Sequence, residues 1–171
     1  YYMDINSLLA NKDDAAIQFK LAAAYSKGVD IEQDDTLSFQ WCKKAAEQGH
    51  TNAQFMLGNM LGAGKGCNKN DTLAFKWFKK AAEQGHTNAQ FNVGTMYLKG
   101  QGIEKNAALA IQWYKKSAEK GNSKAQFNLA TMYRKGDGVE KNDALAIQWY
   151  KKSAKEGHPT AAECLKTFYS L

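Results

Sequence analysis

The chain has 171 residues, 44% of them hydrophobic, with a formal charge of +6 and an isoelectric point near 9.1. That length fits one domain or one repeat array with a shared core, and no apolar run reaches the roughly 18 residues of a membrane-spanning helix. Cys42, Cys67 and Cys164 are odd in number and share no spacing, which argues against a disulfide framework and against a zinc site.

Tyr1 to Asp4 show no periodicity and none of the regions of a signal peptide. From Ile5 to about Asn11 the pattern reads as half a unit, the second helix of a degenerate repeat at the array's edge. A helix follows over 13–27, with Asp14 as its N-cap. From there the chain is periodic. Trp41, Trp77, Trp113 and Trp149 follow one another at intervals of 36 residues, each opening a segment such as Trp77-Phe78-Lys79-Lys80-Ala81-Ala82. A fixed period of this size marks stacked helical repeats. We place helix A over 52–63 and helix B over 71–84, with counterparts at 88–99 and 107–120, then 124–135 and 143–156. The last helix A begins at Pro159, where a missing N–H costs nothing at the first helical position. The whole predicts one array over 1–171. It comprises an N-terminal half-repeat (1–12), repeats over about 13–48, 49–84, 85–120 and 121–156, and a C-terminal capping helix (157–171).

Punctuation supports these limits. Gly49, Gly85, Gly121 and Gly157 follow each helix B where a left-handed residue ends a helix, and Gly28, Gly64, Gly100 and Gly136 follow helix A. Asp34, Asn70, Asn106 and Asn142 stand at the N-caps of the B helices. A helical wheel predicts that Leu73, Trp77, Ala81, Ala74, Phe78 and Ala82 form the buried arc of helix B, leaving Lys76, Lys79, Lys80 and Glu83 outside. On helix A it groups Ala53, Gln54, Leu57, Gly58 and Leu61, with Phe55 on the opposite shoulder, so helix A should pack on both sides. In the last unit Glu163 and Lys166 replace the phenylalanine and small-residue positions, from which we expect the array to stop there.

The run Ala-Gln-Phe-Asn-Val-Gly-Thr-Met-Tyr-Leu-Lys-Gly-Gln-Gly-Ile over 89–103, followed by Ala110, Trp113, Ala118 and Gly121, resembles the Sel1-like repeat, a relative of the tetratricopeptide repeat. Its hallmark Gly-x-Gly-[Val/Ile] appears as Gly100-Gln101-Gly102-Ile103 and Gly136-Asp137-Gly138-Val139. Asp30, Cys67 and Leu61 depart from the pattern conservatively. The resemblance implies an all-α, right-handed α/α solenoid of helix–turn–helix repeats, whose inner face is lined by A helices. It implies a bacterial adaptor that holds a protein or peptide, in the periplasm or outside the cell rather than in the cytoplasm. One branch of the family neutralises phospholipase-type toxins as immunity proteins. Another, stapled by cysteine pairs that this chain lacks, is associated with β-lactam binding or hydrolysis.

No catalytic constellation emerges, so we expect no enzyme, cofactor or metal. The Gly-x-Gly turns follow helices rather than strands and recur in every unit, unlike a phosphate cradle. His50, His86 and His158 share one repeat phase, too far apart to converge on one ion, and read as loop or capping residues. The ladders Lys43/Lys79/Lys115/Lys151 and Lys44/Lys80/Lys116/Lys152 read as a solvated face rather than a nucleic-acid site, because the wheel buries the adjoining rings. The remaining arc of helix A carries Lys20 and Lys27, Met56 and Asn59, Asn92, Thr95 and Lys99, then Asn128, Thr131 and Lys135. We take these as the partner-binding residues of a concave groove. Asparagine pairs with peptide backbone through its donor and acceptor, and lysine at the end of a row suits a carboxylate.

Overall fold

The computed structural model describes residues 5–28 and 31–170, and the expectation for Asp30 falls outside them. Among the described residues there are α-helices and no strands. The chain divides into two compact units, Tyr1–His86 and Thr87–Leu171. The first contains α1 (Ile5–Ala10), α2 (Ala15–Lys27), α3 (Asp35–Glu47), α4 (Thr51–Ala63) and α5 (Asp71–Glu83). The second contains α6 (Thr87–Lys99), α7 (Ala107–Glu119), α8 (Ser123–Lys135), α9 (Asp143–Lys155) and α10 (Ala161–Tyr169). The A helices are α2, α4, α6 and α8, and α10 opens in their phase; α3, α5, α7 and α9 are the B helices. The fold class is thus all-α, of the α/α-solenoid kind, with α4, α6 and α8 starting 36 residues apart.

Local chemistry sets the helix ends. The side chains of Asp34, Asn70, Asn106 and Asn142 accept from the backbone N–H three residues on, at 2.8–2.9 Å. Each such cap contributes about 1 kcal/mol. At the end of α3 the Gly49 N–H reaches the Ala46 carbonyl at 3.0 Å and the His50 N–H reaches Ala45 at 3.1 Å. These are the two bonds of a Schellman motif, which needs the left-handed φ of 90° at Gly49. The same pair recurs after α5, through Gly85 and His86.

Packing of A against B depends on close approach. Gly94 on α6 lies so near Tyr114 of α7 that an added Cβ would stand 2.8 Å from the ring. The second turn glycine has a different duty. At Gly66 the backbone has a φ of +70°, and a Cβ would collide with the Asp35 carbonyl at the start of α3. The Gly-x-Gly turn is therefore the point where one repeat's turn lies on the preceding B helix.

The A helices bury their arc as predicted, with Ala53, Gln54, Leu57, Gly58 and Leu61 of α4 all inaccessible, joined by Met60. Phe55 touches Phe78 on one side (ring centroids 5.8 Å apart) and stacks on His86 on the other (4.3 Å). On the B helices the predicted arc is turned. Ala74, Phe75, Phe78, Ala81 and Ala82 are buried, whereas Leu73 is 40% exposed and Trp77 only half-buried. The wheel's arc is centred too close to Leu73, because the neighbouring A helix meets α5 at Phe78, opposite Gly58 and Phe55, and at Ala74, opposite Gly62.

The tryptophans consequently form part of the surface. Lys44, Lys80, Lys116 and Lys152 each place Nζ 4.3–4.4 Å from the ring centroid of Trp41, Trp77, Trp113 and Trp149. Half of the expected free lysine ladder is thus folded onto indole, at about 0.5–1 kcal/mol per exposed pair. Pro159 is also placed differently. It lies in a turn, and α10 starts two residues later at Ala161. The Ala161 N–H reaches the His158 carbonyl at 3.4 Å, whereas its counterpart Ala53 reaches the His50 ring, so the cap seen at His50 is not repeated.

Candidate partner-binding face

The histidine phase is structural. His50 Nδ1 accepts from the Ala53 N–H at 3.1 Å, capping α4, while its ring stacks on Phe19 at 4.7 Å. His158 stacks on Phe127 at 4.2 Å. Burial and the nearby Lys124 charge lower its affinity for a proton below the ordinary histidine value. In the remaining repeat Asn122 caps α8 by accepting from Ala125 at 2.9 Å, and its amide donates to Asn88 at 3.2 Å.

The A-helix rows stand at the surface. Lys20, Lys27, Asn59, Lys99 and Lys135 are exposed, and Met56, Asn92, Thr95, Asn128 and Thr131 are half-buried. Within the second unit hydrogen bonds hold part of this row in place. The Thr95 hydroxyl donates to the Phe91 carbonyl at 3.1 Å and lies 3.0 Å from the Tyr114 hydroxyl. Thr131 repeats the pattern, with Phe127 O at 3.0 Å and Tyr150 OH at 2.9 Å. Tyr114 and Tyr150 are fully buried by their repeats. Burial pushes the Tyr114 phenol above its usual range, offset in part by the side chains of Thr95 and Asn128.

These tyrosines escaped the sequence reading, though a signal was present. They occupy the phase of Cys42 and Phe78, and they arrive together with threonine at the phase of Ala23 and Asn59. Lys124 was also missed: it is exposed and lies one turn before Asn128 on the same arc.

The charge on this face is of one sign. The A helices α2, α4, α6 and α8 contain no aspartate or glutamate. The ion pairs Lys43–Glu47, Lys65–Asp35, Lys69–Asp71, Lys79–Glu83 and Lys141–Asp143 lie on B helices and turns. What the A rows offer is amide and hydroxyl groups flanked by ammonium groups, with no local carboxylate to neutralise them.

The Sel1 repeat profile matches residues 15–50, 51–86, 87–122 and 123–158, nearly the whole chain. The chain belongs to the Sel1 repeat family. Among solved structures it is similar to a protective antigen of uropathogenic Escherichia coli with an SLR fold, at 33% identity and a TM-score of 0.94, over 98% of this chain and 36% of that one. A Sel1 repeat protein from Oxalobacter formigenes is 38% identical with a TM-score of 0.81, over 94% and 64% of the two chains. The chain thus spans about a third and just under two thirds of these relatives' lengths. An immunity protein from Pseudomonas aeruginosa, Pa5087, shares the fold at 23% identity and a TM-score of 0.57, over 95% and 60%. No curated protein matches the sequence. Membership fixes the Sel1 scaffold, a repeat fold that typically mediates protein–protein interaction.

Proposed function

We propose that this Sel1 scaffold is non-enzymatic and holds a protein or peptide against the polar faces of its A helices. The observation that supports this most is the contrast between faces. On the first unit's B helices Lys43 and Lys79 are paired with Glu47 and Glu83, and each B helix lays one lysine on its tryptophan, as Lys80 on Trp77. The A helices leave Lys, Asn and Thr at the surface with no carboxylate of their own. Such a face is stable in water and offers directional groups to a chain laid across it. The likeness to the Pseudomonas immunity protein is one of fold, so toxin neutralisation gains no separate support from it.

The test is capture of the native partner by the intact chain. Asn92→Trp, which adds bulk to an A helix without changing charge, should release it, while Lys115→Trp on the outer side of α7 should not. Circular dichroism establishes that both variants are folded. Retention of the partner by folded Asn92→Trp would overturn the assignment of the face.

A further inference from the structure

The two units differ in a way that the repeat pattern conceals. The first carries 10 Lys and 10 Asp or Glu, net zero; the second carries 13 Lys or Arg and 7 Asp or Glu, net +6. All of the chain's excess positive charge therefore belongs to the second unit. On its A helices, Lys99, Lys124 and Lys135 are exposed and take part in no ion pair among the described residues. The first unit's α4 has no charged residue at all.

A second, independent difference concerns order. In the second unit buried tyrosines bond the face residues: Tyr114 to Thr95 and Thr95 to the Phe91 carbonyl, then Tyr150 to Thr131 and Thr131 to the Phe127 carbonyl. These bonds tie α7 to α6 and α9 to α8, so each holds a hydroxyl of the A-helix row in place. In the first unit the matching ring is Phe78, which has no hydroxyl to do this.

We propose that the A-helix face of the second unit docks an extended acidic segment of a protein partner, with side-chain carboxylates on Lys99 and Lys135 and backbone amides on Asn92 and Asn128, beside the tyrosine-held Thr95 and Thr131. This rests on the reading of the A helices as the binding face and names the chemistry of its occupant. Equivalent residues in successive repeats stand on the order of one helix-packing distance, about 10 Å, apart. An extended polyproline-type chain returns to the same side every three residues, about 9 Å. Carboxylates at every third residue would therefore meet Lys99 and Lys135 together. A held side chain loses less freedom on binding than a free one, so Tyr114 acts as a positioning residue for Thr95.

The experiment uses the full chain and a fluorescein-labelled peptide of four Glu-Pro-Ser triplets, read by fluorescence anisotropy. Expected are binding that weakens as salt rises, at least tenfold loss with Lys99→Glu plus Lys135→Glu, and about threefold loss with Tyr114→Phe at unchanged helicity. The first-unit reversal Lys43→Glu plus Lys79→Glu should leave affinity within twofold. Equal binding of the Gln-Pro-Ser peptide, or indifference to the Lys99 and Lys135 reversal, would overturn the proposal. So would tighter binding of a twelve-nucleotide oligothymidine or of phosphatidylserine vesicles to the same lysines, which would make phosphate the preferred occupant. If Asn92→Trp releases the native partner while the two lysine reversals do not, only the acidic docking fails. If neither change releases it, the reading of the face fails as well.

Discussion

The first and second units are built from the same repeat but solve the contact between helices A and B differently. In the first, Phe78 closes over Gly58 with carbon alone, an added Cβ standing 2.7 Å from the ring. In the second, Tyr114 makes the equivalent contact over Gly94 and Tyr150 packs with Ala130, and both also tie their hydroxyls to Thr95 and Thr131. A ring held only by packing can slide when crowded, whereas one anchored at its far end cannot. The polar tie ends on the half-buried Thr95 and Thr131, so the second unit couples its core to its A face. A second ladder runs the other way. In the first unit, Gln18 and Gln54 are buried and accept from Gln48 and Gln84 at 2.8 and 2.7 Å. In the second, Glu156 stands at the Gln48 and Gln84 phase, and Gln126 Oε1 has no donor.

The largest expected effect tests the anchoring. Gly94→Ala should cost about 2–3 kcal/mol, in the range of overpacked cores, because Tyr114 is pinned and the Ala110 carbonyl stands 3.2 Å from the added atom. Gly58→Ala should cost less, about 1 kcal/mol, since Phe78 can shift and alanine gains helix propensity. Equal losses in urea denaturation would remove the distinction between the units.

Tyr114→Phe should cost about 1 kcal/mol, the net worth of a hydrogen bond, and should change the alkaline limb of stability. The folded phenol's pKa is raised by burial above the unfolded value near 10. Its contribution is therefore complete below pH 10 and is lost as pH rises through the folded value. Cys42, pushed up to about 12 by burial, adds a loss of its own above the thiol value of 9.0. The informative quantity is the difference between parent and Tyr114→Phe, measured by denaturation at a series of pH values. An unchanged alkaline slope in Tyr114→Phe would mean the phenol is not held neutral by the fold.

Glu156→Gln should transplant the first unit's ladder by giving Gln126 Oε1 a donor, stabilising the chain by roughly 1 kcal/mol. Thermal denaturation measures this directly, and a lower melting temperature would contradict the register. The smallest effect is a transplant in the other direction. Phe78→Tyr combined with Asn59→Thr should show a favourable coupling of about 0.5 kcal/mol in a double-mutant cycle, since the pair recreates Thr95 and Tyr114. Zero coupling would indicate that the first unit's helices meet at a different height.

The sequence alone determined the all-helical class, the 36-residue period, the caps at Asp34, Asn70, Asn106 and Asn142, and the glycines that end the helices. These are local events, each closed within a few residues, and they recur often enough to be read without a partner in view. It also placed the polar rows of helix A, since a wheel needs only spacing. Tertiary structure decided what depends on the direction from which a neighbour arrives. Phe75 is buried while Leu73 is exposed, and Trp77 lies at the surface under Lys80, because the A helix meets the B helix some way around from the expected centre. Pro159 precedes α10 rather than opening it, and the Ala161 N–H turns to the His158 carbonyl where its counterpart Ala53 is capped by the His50 ring. Thr95 and Thr131 are joined to buried tyrosines 19 positions away in the chain, a distance no helical period spans. Local bonds are written in spacing; the held hydroxyls and the turned arc exist only once two helices share a surface.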